Sequence, residues 1–255
     1  MLHWQDEGIV LAVRHHGESS AVVSLMTQEH GRHAGLVRGG TSLRARGLLQ
    51  LGNQVQASWR ARLPEHLGNL ACELVAAHAA RLFDASMRLA MLASAAALLE
   101  TVLPEREPHR QVYGALLGLI AMLEAESDDL QAAAHYVRWE LALLADLGFG
   151  LDLASCAASG RRDNLRYVSP RTGRALSAEA LSGYGEAPWR ARLLNLPAFL
   201  TDPAAEPDSG AIAAGLRLGG HFLRTHVLHE RPLPGARERL SGLLARRFDS
   251  RPERQ

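Results

Sequence analysis

The apolar residues of this chain change period once, near residue 80, and that change limits the folds open to it. Up to there they recur every second position: Ile9, Leu11 and Val13, then Val23 and Leu25, then Leu36, Val55, Trp59 and Leu70. A repeat of two belongs to strands with one buried face. Turn signals at Gly17-Glu18, His30-Gly31, Gly39-Gly40, Gly52-Asn53 and Gly68-Asn69 divide the stretch into about five short antiparallel strands. Strands that short, in that number, predict a small barrel.

From Arg81 the pattern is helical. Ala, Leu and Met dominate as far as Thr101, Pro104 and Pro108 break the chain, and a second apolar stretch covers 112–123. These predict two buried helices. A third is expected over about 130–147, with Val137, Leu141, Leu144 and Ala145 on one face and Gly148-Phe149-Gly150 as its stop. Residues 151–185 are polar and rich in turns, a small irregular insertion in which Pro170, Thr172 and Gly173 form the tip of a hairpin between Tyr167-Val168 and Ala175-Leu176. An apolar patch at 193–200 and a segment expected to be mobile at 202–208 come next. Helices near 211–228 and 235–248 follow, and the last seven residues are expected to fray. Gly215, Gly219 and Gly220 suggest close packing of the first of these helices against a neighbour. The fold class is α+β, with a barrel in 1–80 and a helical domain in 81–255 that contains the insertion.

Composition removes several function classes. The longest uncharged runs, 89–99 and 111–123, fall short of the roughly 20 apolar residues that cross a bilayer. Asp6 and Glu7 follow the start too closely for a secretory leader, so a cytoplasmic protein without a membrane partner is expected. Two cysteines, Cys72 and Cys156, make neither a disulfide framework nor a four-thiolate zinc site, and both are expected reduced. All 28 basic residues are Arg, which excludes a phosphate loop of the type that needs Lys. The net charge of +1 conceals an uneven distribution: residues 81–150 are acidic and both flanks are basic. Codon bias in a GC-rich genome produces the same Arg-for-Lys composition, so the placement of Arg carries more than its number.

No catalytic constellation is present. His15-His16 and His30-x-x-His33 lie at strand ends or turns without a helical metal motif or a thiolate partner, and His221, His226 and His229 lack a carboxylate ligand pattern. A nucleophile elbow is absent, and Gly148-x-Gly150 is followed by Leu153 where a dinucleotide loop needs glycine. No cofactor and no enzyme activity are expected.

Arginines stand on the turns and strand ends of the predicted barrel: Arg14, Arg32, Arg38, Arg44, Arg46, Arg60 and Arg62. That placement leaves their guanidinium groups free to face one partner. Arg pairs with phosphate in a planar, bidentate way, and a barrel with basic loops suits single-stranded nucleic acid. Solvated loops are the alternative reading. Only Trp4 and Trp59 supply aromatic rings in this region, so backbone contact should outweigh base stacking.

Taken in order, several stretches resemble one family. "DEGIVLAVRHHGESSAVVSLMTQEHGRHAGLVRGG" and "LLQLGNQVQASWRARLPEHLGNLACE" are similar to the barrel of the RecO recombination mediators of bacteria. "LPERE", "YVRWELALLADLGFGLDLASCAASG", "YVSPRTGRALS", "LPAFL" and "LRLGGHFL" follow in the family's order, over nearly the whole chain. The resemblance implies an N-terminal OB-fold barrel, a helical body and a small zinc-ribbon-like element. It also implies binding of single- and double-stranded DNA, annealing of complementary strands, and association with the nucleoid. The partners it implies are RecR and the acidic tail of single-stranded-DNA-binding protein, recognised so that recombinase can load.

Where zinc-bearing members carry C-x-x-C twice, this chain has Cys156, Ser159, Ser177 and Ala180, which implies a degenerate, zinc-free relic held by Tyr167, Val168 and Leu176. For the acidic tail, the position the resemblance selects is Arg138, just before the "WELALL" stripe; a helix-surface ion pair with Glu140 or Asp146 is the rival reading. Two other function classes stand beside the mediator: a helical interaction scaffold whose barrel binds protein, and a metal-dependent hydrolase using the barrel histidines.

Overall fold

A computed structural model of the chain describes residues 2–182 and 189–249. The tail 250–255, expected to fray, and residues 183–185 of the insertion lie outside them. Five strands, β1 (Leu2–His16), β2 (Ser20–Thr27), β3 (Gly31–Val37), β4 (Gln54–Ala61) and β5 (Asn69–Ala76), close into a barrel in the order β1-β2-β3-β5-β4. β4 returns antiparallel to β1, and β3 meets β5 in parallel. This is the Greek-key arrangement of a five-stranded OB-type barrel. The interior is built from Val10, Val23, Leu25, Val55, Ala57, Trp59 and Leu70, the inward set of the alternating pattern. Closure needs Gly35: a Cβ there would stand 2.7 Å from the Leu70 Cβ.

Two details depart from strict alternation. The β1–β2 register slips between Val10 and Ala12, and Ile9, Val10 and Leu11 are buried in succession; Val13 pairs with buried Val23 yet is 41% exposed. Leu36 belongs to the outer face, because Gly35 beside it is the residue that faces Leu70 inside.

Between β3 and β4 the short helix α1 (Leu43–Leu48) packs Ala45 and Leu48 against the barrel core. Its first turn is capped by the Ser42 hydroxyl, which accepts from the Ala45 amide. Buried Asn53 ties it in place: its amide nitrogen donates to the carbonyls of Gly47 and Leu48 at 3.0 and 3.1 Å, and its oxygen accepts from the Ala79 amide at 3.1 Å. Ala79 lies on α2 (His78–Arg81), which precedes α3 (Ser86–Val102) and α4 (Arg110–Ala125). Glu124 of α4 pairs with His78 at 2.5 Å and Arg81 at 3.0 Å. The chain divides into two compact units, and these helices belong with the barrel: Met1–Ala125 with Pro234–Arg237 form the first, Glu126–Leu233 with Glu238–Gln255 the second.

The second unit begins with α5 (Asp129–Asp146), capped by the Asp128 carboxylate. Its buried residues include Tyr136, Val137, Trp139, Glu140, Leu143 and Leu144. The buried face is therefore rotated from the expected one, with Leu141 only half-buried and Ala145 exposed. β6 (Leu165–Val168), β7 (Ala175–Ser177) and β8 (Leu194–Asn195) form a small sheet in the order β7-β6-β8, and the β6–β7 hairpin turns at 169–174 as expected. A short helix, α6 (Ala178–Ser182), follows β7. The helix expected at 211–228 is α7 (Ser209–Phe222) continued by a π-helical turn, Leu223–Val227, and α8 (Gly235–Asp249) comes last. α7 packs on α5 so closely that a Cβ at Gly219 would stand 2.2 Å from Glu140 Oε1. Among the described residues no helix is long and apolar enough to cross a membrane.

Candidate nucleic-acid interface

The seven barrel arginines fall into three groups. Arg38, just past β3, and Arg60 on β4 are brought together by β5: Asn69 at its start pairs with Arg60 across the β4–β5 ladder and with Leu36 across the parallel one. Arg38 Nε donates to Asn69 Oδ1 at 3.2 Å. Both residues line a groove of about 570 Å³ together with Leu36, Ser58, Ala71 and Cys72. Arg62 stands in the β4–β5 loop two residues beyond Arg60. Burial pushes the Cys72 thiol up to about 12, so it contributes apolar surface to the groove and no charge.

Arg44 and Arg46 form the second group, exposed on α1. Arg46 Nε donates to the Thr41 carbonyl at 3.0 Å, which directs the guanidinium along a groove of about 470 Å³ that also contains His15 and Gln50. Among the described residues, none of Arg38, Arg44, Arg46, Arg60 and Arg62 forms an ion pair. Their charge is available to an anionic partner.

The third group, Arg14 and Arg32, differs from the expectation that all seven would be free. Arg32 Nε donates to the Leu103 carbonyl at 2.9 Å, and its Nη1 lies 3.3 Å from Glu105 and 3.6 Å from Glu100. Arg14 pairs with Glu100 at 3.3 Å. The neutralising acids come from α3 and the segment after it, 73 positions from Arg32 in the case of Glu105 and 86 from Arg14 in the case of Glu100.

Arg106 escaped the reading of the sequence. From a left-handed backbone conformation (φ 65°) it donates to the carbonyls of Pro64, Glu65 and, at 2.9 Å, His66. These three residues lie in the β4–β5 loop, one of the two loops with which barrels of this type contact nucleic acid. No local signal marks Arg106, since its partners lie about 40 residues away. Trp59 supports the same loop by donating its indole N–H to the Leu67 carbonyl at 2.8 Å.

In the second unit, Arg138 donates Nη2 to the Phe199 carbonyl at 3.0 Å, with its guanidinium 5.2 Å from the Phe199 ring centroid. Glu140 is buried and accepts from the Tyr136 hydroxyl at 3.1 Å. An apolar ring beneath a cation is thus present at the position selected by resemblance.

The positions aligned with a zinc site do not fit zinc. Cys156 Sγ accepts from the Ser177 amide at 3.3 Å and lies 3.6 Å from its hydroxyl. Burial raises the Cys156 thiol, but hydrogen bonds from the hydroxyl of Ser159, the amide and hydroxyl of Ser177 and the amide of Ala158 outweigh it and bring it down to about 6. One thiolate with serine hydroxyls is not a zinc ligand set, Ala180 offers no ligand, and no group of three His, Cys, Asp or Glu able to hold a metal occurs among the described residues.

Comparison with known proteins agrees with the barrel and the helical region. Residues 1–78 match the family model "Recombination protein O N terminal" and residues 86–233 match "Recombination protein O C terminal". The chain is 53% identical over 251 residues to the DNA repair protein RecO of Rhodospirillum rubrum, covering 96% of this chain and 98% of that one. It is 51% identical over 244 residues to the RecO of Methylobacterium nodulans, covering 93% and 96%, and 50% identical over 234 residues to that of Rhodopseudomonas palustris, covering 90% of each. With both family models and relatives of this similarity along nearly its full length, the chain belongs to the RecO family of DNA repair proteins.

Proposed function

We propose that residues 1–80 are a DNA-binding domain whose arginines hold single strands by their phosphates, and that the protein acts as a recombination mediator without covalent chemistry. The observation that carries this reading is the placing of Arg38 and Arg60 on either side of Asn69, beside an open groove and with no acid among the described residues to neutralise them. Each guanidinium that meets a phosphate releases condensed counterions, so binding is favourable and independent of sequence. Arg44, Arg46 and Arg62 extend the positive surface to α1 and to the β4–β5 loop. Strands held close together in this way anneal through their own base pairing, the protein supplying proximity.

In this reading the helical domain, 81–255, supplies protein contacts. Arg138 over Phe199 is the receptor for the acidic, aromatic-ended tail of single-stranded-DNA-binding protein, RecR is the further partner, and 151–185 is a degenerate zinc-ribbon-like insertion. The test is annealing of complementary oligonucleotides coated with single-stranded-DNA-binding protein. Wild type anneals them, the Arg44→Ala, Arg46→Ala pair anneals them poorly while remaining folded, and Arg138→Ala loses annealing only on coated strands. Failure of the wild type to bind or anneal DNA would sink the mediator reading in favour of a protein scaffold.

A further inference from the structure

Arg14 and Arg32 lie on a barrel face where the chain supplies its own anion. On the outer side of β1, β2 and β3, Arg14, Ser24 and Arg32 border a groove of about 260 Å³. The Glu100 carboxylate sits between them: one oxygen accepts from the Ser24 hydroxyl and lies 3.6 Å from Arg32 Nη1, and the other lies 3.3 Å from Arg14 Nη2. Two guanidinium groups and a hydroxyl from three adjacent strands thus converge on a single oxyanion. That donor set matches a phosphodiester, which offers more acceptor positions than a carboxylate.

The individual contacts divide into fixed and movable ones. Arg32 is held by the Leu103 carbonyl and Glu105, and its side chain is 15% exposed. Arg14 is 76% exposed, so its bond to Glu100 is screened by solvent and readily exchanged. Ala12, Val22, Ala34 and the Glu105 carboxylate complete the groove; the three apolar residues are only half-buried and Glu105 is 45% exposed, so the site opens to solvent. The outer face of the second and third strands is also where barrels of this type carry oligonucleotides.

We propose that Arg14, Ser24 and Arg32 form a phosphate site for the DNA backbone, occupied in the free protein by Glu100, which must swing out for a nucleic-acid phosphate to enter. The proposal rests on the DNA-binding reading above and adds a competition to it. Wild type then engages DNA with the five arginines free of ion pairs, and loss of the Glu100 charge admits one further phosphate beside Arg14, while Arg32 keeps its pair with Glu105.

The experiment is the salt dependence of oligo-dT binding by wild type, Glu100→Gln, Glu73→Gln and Arg14→Gln, and by the Arg14→Gln, Glu100→Gln double variant. Glu100→Gln keeps the shape and the hydrogen bond to Ser24, and Glu73→Gln removes an exposed barrel charge far from both arginines in sequence. Each added single-strand phosphate contact steepens the slope of log affinity against log salt by about 0.7. Glu100→Gln is expected to steepen it by about 0.7, one added phosphate, with Glu73→Gln at the wild-type slope and the double variant gaining less than Glu100→Gln. A slope for Glu100→Gln equal to that of wild type or of Glu73→Gln overturns the proposal while leaving DNA binding by the other arginines intact. Binding of inorganic phosphate by Glu100→Gln without a change in the DNA slope overturns it as a nucleic-acid site. Absence of DNA binding by wild type removes it together with the reading on which it rests.

Discussion

The guanidinium of Arg106 lies 6.0 Å from the ring centroid of Trp59, and the two side chains hold the β4–β5 loop from opposite ends. Arg106 donates to the carbonyls of Pro64, Glu65 and His66, and Trp59 donates to that of Leu67. Arg106→Met removes the donors and keeps the stem. It is expected to cost about 1–3 kcal/mol, typical of charge-assisted hydrogen bonds. Hydrogen exchange at 65–68 measures the effect: it should accelerate in the variant, with DNA affinity falling as the loop carrying Arg62 loosens. Unchanged exchange in this loop would show that Arg106 does not hold it.

His33 makes acid stability a second test. It is 4% exposed, edge-on to Trp4 and Trp59 at 4.9 and 4.8 Å, and among the described residues neither ring nitrogen has a hydrogen-bond partner. Burial lowers its pKa from 6.5 to about 4, and the charges of Arg106 and His30 add to the effect. The unfolded chain therefore binds this proton below pH 6.5 and the folded one does not. The contribution is complete above pH 6.5 and is lost as pH falls from 6.5 to 4, amounting to at most about 3 kcal/mol. Urea unfolding across that range should show a flatter pH dependence for His33→Phe than for wild type. Equal slopes would contradict a neutral, unpartnered His33.

The legible part of this fold was the part with a local cause. Alternation and glycine turns mark the barrel strands, and Gly219 announced a close helix contact that α5 indeed makes. Other features depend on residues distant in sequence. The slip after Val10 breaks the alternation along β1, and the neutralisation of Arg32 depends on Glu100 and Glu105 from beyond the barrel. Arg106 is invisible for the same reason: its role is defined by carbonyls, which every residue has.

Closure of the barrel supplies a third prediction. Gly35→Ala places a methyl 2.7 Å from the Leu70 Cβ and 3.3 Å from the Trp59 ring, where backbone must shift. It should destabilise the protein by about 1–3 kcal/mol. Chemical denaturation reads this directly, and a variant as stable as wild type would show that β3 and β5 are not closely apposed.

If barrel arginines without acidic partners hold DNA by its phosphates, the salt slope of oligo-dT binding must differ between wild type and the Arg38→Ala, Arg60→Ala pair. With five such arginines in contact, the wild-type slope of log affinity against log salt is about −3.5, and the pair reduces it to about −2. A pair variant that stays folded and retains the wild-type slope would contradict the account.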